Sequence, residues 1–119
     1  MRYRKELEKL IDVKDIIVVA KVSKRSAKKH VSPYGNTYYV ETMLLEDVKC
    51  CIRKGNKLYV QVKLDHIWLS ADQSKVVNNF KIKPGHEVRF YADVIQYEYS
   101  NGTKQLGLVD NNRIKASFK

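Results

Sequence analysis

The spacing of apolar residues changes along the chain from a helical period to a period of two. Tyr3, Leu7, Leu10 and Ile11 follow the i, i+4, i+7, i+8 spacing of one helical face, and charged residues occupy the other face. We therefore expect residues 1–12 to form an amphipathic helix packed on the rest of the domain. From residue 13 to residue 119 the sequence favours a second structural type, a single β domain rich in β-branched residues.

Five strands are predicted from the alternating segments, at residues 15–24, 38–48, 58–69, 87–97 and 104–115. Turn-forming residues separate them, with a tight turn at residues 54–57 and a hairpin at residues 100–103. Between the third and fourth strands the alternation stops. Ser70 or Asp72 is expected to cap a short helix there, which would direct Val76, Val77 and Phe80 inward.

The alternation also predicts which side chains face the core, because neighbouring residues of a strand point to opposite faces. In the fourth strand the apolar set from Val88 to Val94 should be buried, with Arg89, Tyr91 and Asp93 facing outward. Trp68, near the end of the third strand, is expected in the core, and stacking on a base is the alternative. The outer faces of the second and third strands are expected to present one shared surface formed by Tyr39, Met43, Tyr59, Gln61 and Lys63.

The order of a helix, three strands, a short helix and two strands resembles the OB-fold single-strand-binding proteins over residues 13–115. The most similar local segment is residues 82–94 (IKPGHEVRFYADV), a Lys-Pro-Gly turn followed by an alternating fourth strand. The resemblance implies a mainly β fold, a five-stranded Greek-key barrel with a short helix between strands 3 and 4. It also implies a ligand surface on strands 2 and 3 and on the loops that join strands 1–2 and 4–5. Other small barrels, such as SH3-like ones, share part of this pattern.

The charge of the chain indicates an anionic partner. Lys and Arg total 23 against 13 acidic residues, which gives a net charge of +10. Such an excess favours nucleic acid or an anionic membrane surface. The longest apolar run, residues 16–20, is too short to span a bilayer, and no apolar leader follows residues 1–6. We therefore expect no membrane partner. Because the two cysteines, Cys50 and Cys51, are adjacent, we expect no disulfide between them, which favours a cytoplasmic location.

Residues 24–36 are expected to form a long basic loop that contains no acidic residue, which is typical of a phosphate-binding surface. A second loop, residues 97–104, offers tyrosines beside a lysine. Bases stack on aromatic rings while cations hold the phosphates. The predicted nucleic-acid-binding residues are Lys24, Arg25, Lys28, Lys29, Tyr34, Tyr39, Tyr59, Lys63, Arg89, Tyr91, Tyr97, Tyr99 and Lys104.

These features predict a sequence-independent single-stranded DNA-binding protein that acts in replication, recombination or repair. Since the sequence contains no phosphate-binding loop and no metal-ligand spacing, we expect no cofactor, no metal and no catalysis. Two alternatives stay open: an accessory subunit that docks through the N-terminal helix onto a polymerase, helicase or primase, and an RNA-binding OB domain. The oligomeric state does not follow from the sequence.

Overall fold

The protein is a mainly β structure built around one antiparallel sheet. The computed structural model describes residues 5–71, 74–98, 101–111 and 117–119. Within these residues, two 3-10 helices accompany six strands. The elements in chain order are η1 (Lys5–Leu10), β1 (Ile16–Val31), β2 (Thr37–Lys54), β3 (Lys57–Ser70), η2 (Lys75–Asn78), β4 (Glu87–Glu98), β5 (Lys104–Asp110) and β6 (Ser117–Phe118).

The strands are ordered β3-β2-β1-β4-β5, and β6 pairs with β4. The sheet is open, because no pairing joins its edge strands β3 and β5 within the described residues. The five predicted strands are all present, although β2 continues past its predicted end through Cys50 and Cys51. The fifth strand ends at Asp110, short of its predicted end, and β6 was not predicted.

The core lies on one face of the sheet and follows the period-two alternation of the strands. In β4, Val88, Phe90 and Ala92 are buried, which confirms the inward assignment made from the sequence. The buried residues of the other strands include Val18 and Val22. The core is completed by Leu45, Val48, Val62, Leu64, Ile67, Leu69, Leu106 and Leu108.

The N-terminal segment is a six-residue 3-10 helix rather than the predicted amphipathic α-helix. Leu7 and Leu10 are both buried, and η1 packs against the two edge strands β3 and β5. Residues three apart lie on the same side of a 3-10 helix, so this geometry directs both leucines into the core. So short a segment has little helical stability of its own, and its conformation is set by this packing. Ile11, which the helical prediction placed on the buried face, is exposed.

The short helix predicted between the third and fourth strands is present as the 3-10 helix η2. Val76 and Val77 are buried as expected, but Phe80 is 63% exposed, and Ile82 is buried instead. Of the two predicted caps, Ser70 belongs to β3 and Asp72 lies outside the described residues. Ser74 precedes the helix without a side-chain capping bond.

The predicted basic loop is largely a β-hairpin. Strand β1 continues to Val31 and pairs with β2 as far as Thr37, so only residues 32–36 form the turn. The Ser32 N–H donates to the Asn36 carbonyl at 2.8 Å, and the Asn36 N–H donates to Ser32 Oγ at 3.1 Å. Gly35 adopts the positive φ of 82° that this turn requires. We call residues 28–40 the hairpin arm.

We expect Leu7→Ala to lower the free energy of unfolding by about 2–4 kcal/mol, because it leaves a cavity between the two edge strands. Ile11→Ala is the control and should change stability by less than about 0.5 kcal/mol, since that side chain is 46% exposed and outside the core. Urea unfolding followed by circular dichroism measures both. A loss of unfolding free energy no larger for Leu7→Ala than for Ile11→Ala would contradict the packing of η1 against the core.

Candidate nucleic-acid interface

The sheet face opposite the core, which we call the outer face, carries rows of residues aligned across neighbouring strands. One row joins four strands, because Arg89 pairs with Val19, Val19 with Lys49, and Lys49 with Lys63. Residues paired in this way point to the same face of the sheet. Three of the four side chains in this row are therefore cations directed to the same side, and Lys49, Lys63 and Arg89 are all exposed.

A second row places an exposed aromatic ring beside a cation. Lys24 pairs with Leu44, and Leu44 pairs with Trp68. The Lys24 Nζ lies 5.3 Å from the centroid of the indole, and Trp68 is 48% exposed. The prediction that Trp68 lies in the core was wrong. Its neighbours Ile67 and Leu69 fill the core positions, so alternation directs Trp68 to the outer face.

The outer face continues onto the hairpin arm. Ser26 and Thr42 pair across β1 and β2, and their hydroxyl oxygens lie 2.9 Å apart. Lys28 is exposed in the next row on this face. The row after that holds His30 and Tyr38, whose rings are stacked with centroids 5.4 Å apart. A track of cations and aromatic rings thus runs from β4 to the arm.

Basic side chains outnumber acidic ones along this track. Glu46 shares a row with Lys21 and His66, and Glu87 forms an ion pair with Arg89 at 3.3 Å. The basic residues are Lys21, Lys24, Lys28, Lys49, Lys63 and Arg89. The outer face is therefore cationic, which suits contact with a phosphate chain.

Arg25 lies on the opposite face of β1 from Lys24. Its guanidinium donates to the carbonyls of Asn79 at 2.9 Å, Ile82 at 3.1 Å and Val77, and lies over the Phe80 ring at 5.2 Å. These bonds tie η2 and the segment that follows it to the base of the hairpin arm. The guanidinium of Arg25, which we expected to contact phosphate, thus binds backbone carbonyls instead.

The predicted shared surface of Tyr39, Met43 and Tyr59 does not form. Met43 is completely buried. Tyr39 pairs with Lys29 on the arm, whereas Tyr59 pairs with Ile52 near the other end of β2. The two positions are thirteen residues apart along β2, which is about 40 Å of strand. The prediction placed Tyr39 and Met43 on the outer face of β2, but they lie on the opposite face. That face is exposed to solvent at Tyr39 on the arm and is buried in the core at Met43.

The remaining predicted residues are dispersed. Tyr34, at the tip of the arm, is 92% exposed, and Lys104 is exposed at the start of β5. Tyr91 is half-buried beside a cavity of about 420 Å³ that Lys14 and Arg53 also line. The structure does not describe the side chain of Tyr97, and Tyr99 likewise lies outside the described residues.

The binding residues predicted from the sequence did not include Trp68, Tyr38 or Lys49. Alternation from Ile67 and Leu69 could have found Trp68. Lys49 follows an irregularity in the β1–β2 register at Asp47, whose φ is 50°, and such a bulge shifts the alternation without a clear sequence signal. Tyr38 belongs to a segment that has no buried face, so no apolar pattern marks its orientation.

The cysteines are not poised for nucleophilic chemistry. Cys50 and Cys51 are both buried, and burial raises the pKa of Cys50 to about 12. Burial also raises the pKa of Cys51. A thiol is a nucleophile only as the thiolate, which these pKa values disfavour. His66 contacts Asp65 at 3.1 Å on the surface, and no cluster of three potential metal-ligating side chains occurs in the described part of the chain.

Comparison of the sequence with known proteins identifies no family for this chain. No protein-family model matches the chain, and no curated protein matches its sequence. Among the described residues, no helix has the length and apolar character needed to cross a membrane.

We expect Arg25→Ala to lower the free energy of unfolding by about 1–2 kcal/mol, because three partly buried carbonyls lose a charged donor. Lys28→Ala, on the exposed arm three residues away, is the matched control and should be nearly neutral. Thermal unfolding of the two variants compares them directly. An Arg25→Ala variant as stable as Lys28→Ala would contradict this structural role.

Proposed function

We propose that the protein binds single-stranded nucleic acid along its outer face, with little sequence preference and with single-stranded DNA as the leading ligand. The observation that carries this proposal is the half-exposed Trp68, which lies in the row beside Lys24 on a cationic sheet face. Binding of this kind needs a ring on which any base can stack and cations that follow the phosphates.

The pairing of Lys24 with Trp68 fits both needs. In the unbound protein the ammonium group covers the indole. A base that stacks on the indole would take that position, and the flexible lysine side chain would turn to the adjoining phosphate. Lys49 and Lys63 pair with each other two rows away on the same face and would hold the backbone of nucleotides farther along the strand. The row between them and Trp68 holds Lys21 with Glu46 and His66.

The topology supports an OB-type barrel as the fold behind this surface. Three consecutive hairpin-connected strands, followed by a fourth strand that returns beside the first, give the order β4-β1-β2-β3, which is the order a Greek key requires. Helix η1 contacts both edge strands and so covers the open side of the sheet. The outer face of β2 and β3 corresponds to the surface on which OB domains bind oligonucleotides.

The accessory-subunit alternative receives less support. It would dock through the apolar face of the N-terminal segment, but Leu7 and Leu10 of that face are buried in the core and are not available to a partner. RNA binding uses the same stacking and phosphate contacts, so a comparison of the two polymers belongs in the test below.

We expect Trp68→Ala to weaken binding of single-stranded DNA by about tenfold, since stacking on one aromatic ring contributes about 1–3 kcal/mol per base. Phe80→Ala is the control, because Phe80 is more exposed than Trp68 (63% against 48%) and also lies beneath a cation, but it is not on the outer face. Fluorescence anisotropy of labelled DNA and RNA oligonucleotides at several salt concentrations measures the affinities.

The salt series separates stacking from charge. Trp68→Ala should leave the slope of log affinity against log salt unchanged, whereas Lys49→Ala together with Lys63→Ala should flatten it by about 1.4, the value for two lost phosphate contacts on a single strand. Weakening by Phe80→Ala equal to that by Trp68→Ala would contradict the assignment of the outer face. Salt-insensitive binding would contradict the role of the cations.

A further inference from the structure

The hairpin arm offers a surface that single-strand binding on the outer face leaves unused. Strand β1 leaves β4 after Lys21, and the β2–β3 register ends at Thr42 with Ser70. Beyond these points the register pairs of the arm join only β1 and β2, from Lys28 with Val40 to Val31 with Thr37. The arm is therefore a two-stranded ribbon with solvent on both faces.

The two faces of this ribbon are chemically similar but point in opposite directions. Lys28, His30 and Tyr38 continue the outer face, whereas Lys29 and Tyr39 lie on the reverse face of the arm. Tyr39 is 68% exposed. Neither the core nor the track through Trp68 accounts for an exposed cation and an exposed tyrosine on this reverse face.

A single strand contacts one face of a ribbon, but the groove of a duplex has two walls. The major groove of B-form DNA is about 12 Å wide and admits a two-stranded β-ribbon. In such a groove Lys28 would face the phosphates of one strand and Lys29 those of the other. Tyr34, which lies at the tip and is 92% exposed, would be the aromatic ring that enters the groove most deeply.

The hairpin arm begins a short distance along β2 from the row that contains Trp68. Leu44 shares the row of Trp68, and Val40 lies at the base of the arm on the same face of β2. The two positions are four residues apart along the strand, about 13 Å. A nucleic acid that is single-stranded at Trp68 could thus become a duplex within a few nucleotides, at the arm.

We propose that the hairpin arm enters the major groove of a B-form DNA duplex continuous with the single strand on the outer face. The preferred ligand is then a junction between single-stranded and duplex DNA. This inference rests on the proposed function and extends it by naming the polymer and its form, because the deep, narrow major groove of A-form RNA does not admit side chains.

The test compares a single-stranded DNA oligonucleotide, a blunt duplex, and a duplex carrying that oligonucleotide as a tail, each labelled for anisotropy. The tailed duplex should bind about tenfold more tightly than the single strand alone, through added phosphate contacts. A tailed RNA duplex should show no such gain over single-stranded RNA.

Two adjacent charge reversals assign the gain to the reverse face. Lys29→Glu should abolish the tenfold advantage of the tailed DNA duplex and leave the affinity for the single strand unchanged. Lys28→Glu, the same substitution one residue away on the outer face, should weaken binding of both ligands. Both lysines are exposed and outside the core, and circular dichroism verifies that each variant folds.

Equal affinity for the tailed duplex and the single strand would overturn the inference while leaving the proposed function intact. The same conclusion would follow if Lys29→Glu preserved the advantage of the tailed duplex, or weakened both ligands alike. Failure of the unmodified protein to bind the single strand at all would instead contradict the proposed function, on which the inference rests.

Discussion

Strand β1 is hydrogen-bonded along both edges, to β2 on one side and to β4 on the other, and the rest of the structure depends on this shared strand. Its inward residues, such as Val18 and Val22, lie at the centre of the core. Because a strand buries alternate side chains, the same pairing fixes the outward positions of its neighbours. The burial of alternate residues therefore determines which side chains reach the outer face. The cationic rows consist of the residues that alternate with buried ones along each strand.

Register irregularities shift this alternation within the β1–β2 pair. One falls between Val22 and Lys24 and places Lys24 beside Trp68 while Arg25 turns toward η2. Two adjacent basic residues consequently have different roles, one on the proposed ligand surface and one in the bonds that hold the base of the arm. A bulge of this kind redirects side chains without interrupting the strand.

Sequence reasoning succeeded in the fourth strand, where one face is buried, and failed on the hairpin arm, where neither face is. The fourth strand shows a clear alternation because Val88, Phe90 and Ala92 are core residues. Residues 28–31 have no buried face, so their composition is that of a loop although hydrogen bonds to β2 make them a strand. The same lack of an apolar pattern hid Tyr38, and the unsuspected bulge at Asp47 hid Lys49. Residue types alone did not reveal that Arg25 bonds to carbonyls, since such contacts depend on tertiary structure.

The most direct measurement of the central claim uses Trp68, the single tryptophan of the chain. Its fluorescence is recorded while unlabelled single-stranded DNA is added, first at low and then at high salt. If bases stack on the outer face, the emission should be quenched in a saturable manner, and the affinity should fall as salt rises. Unchanged emission under conditions where anisotropy shows the oligonucleotide to be bound would place the ligand elsewhere and contradict the account.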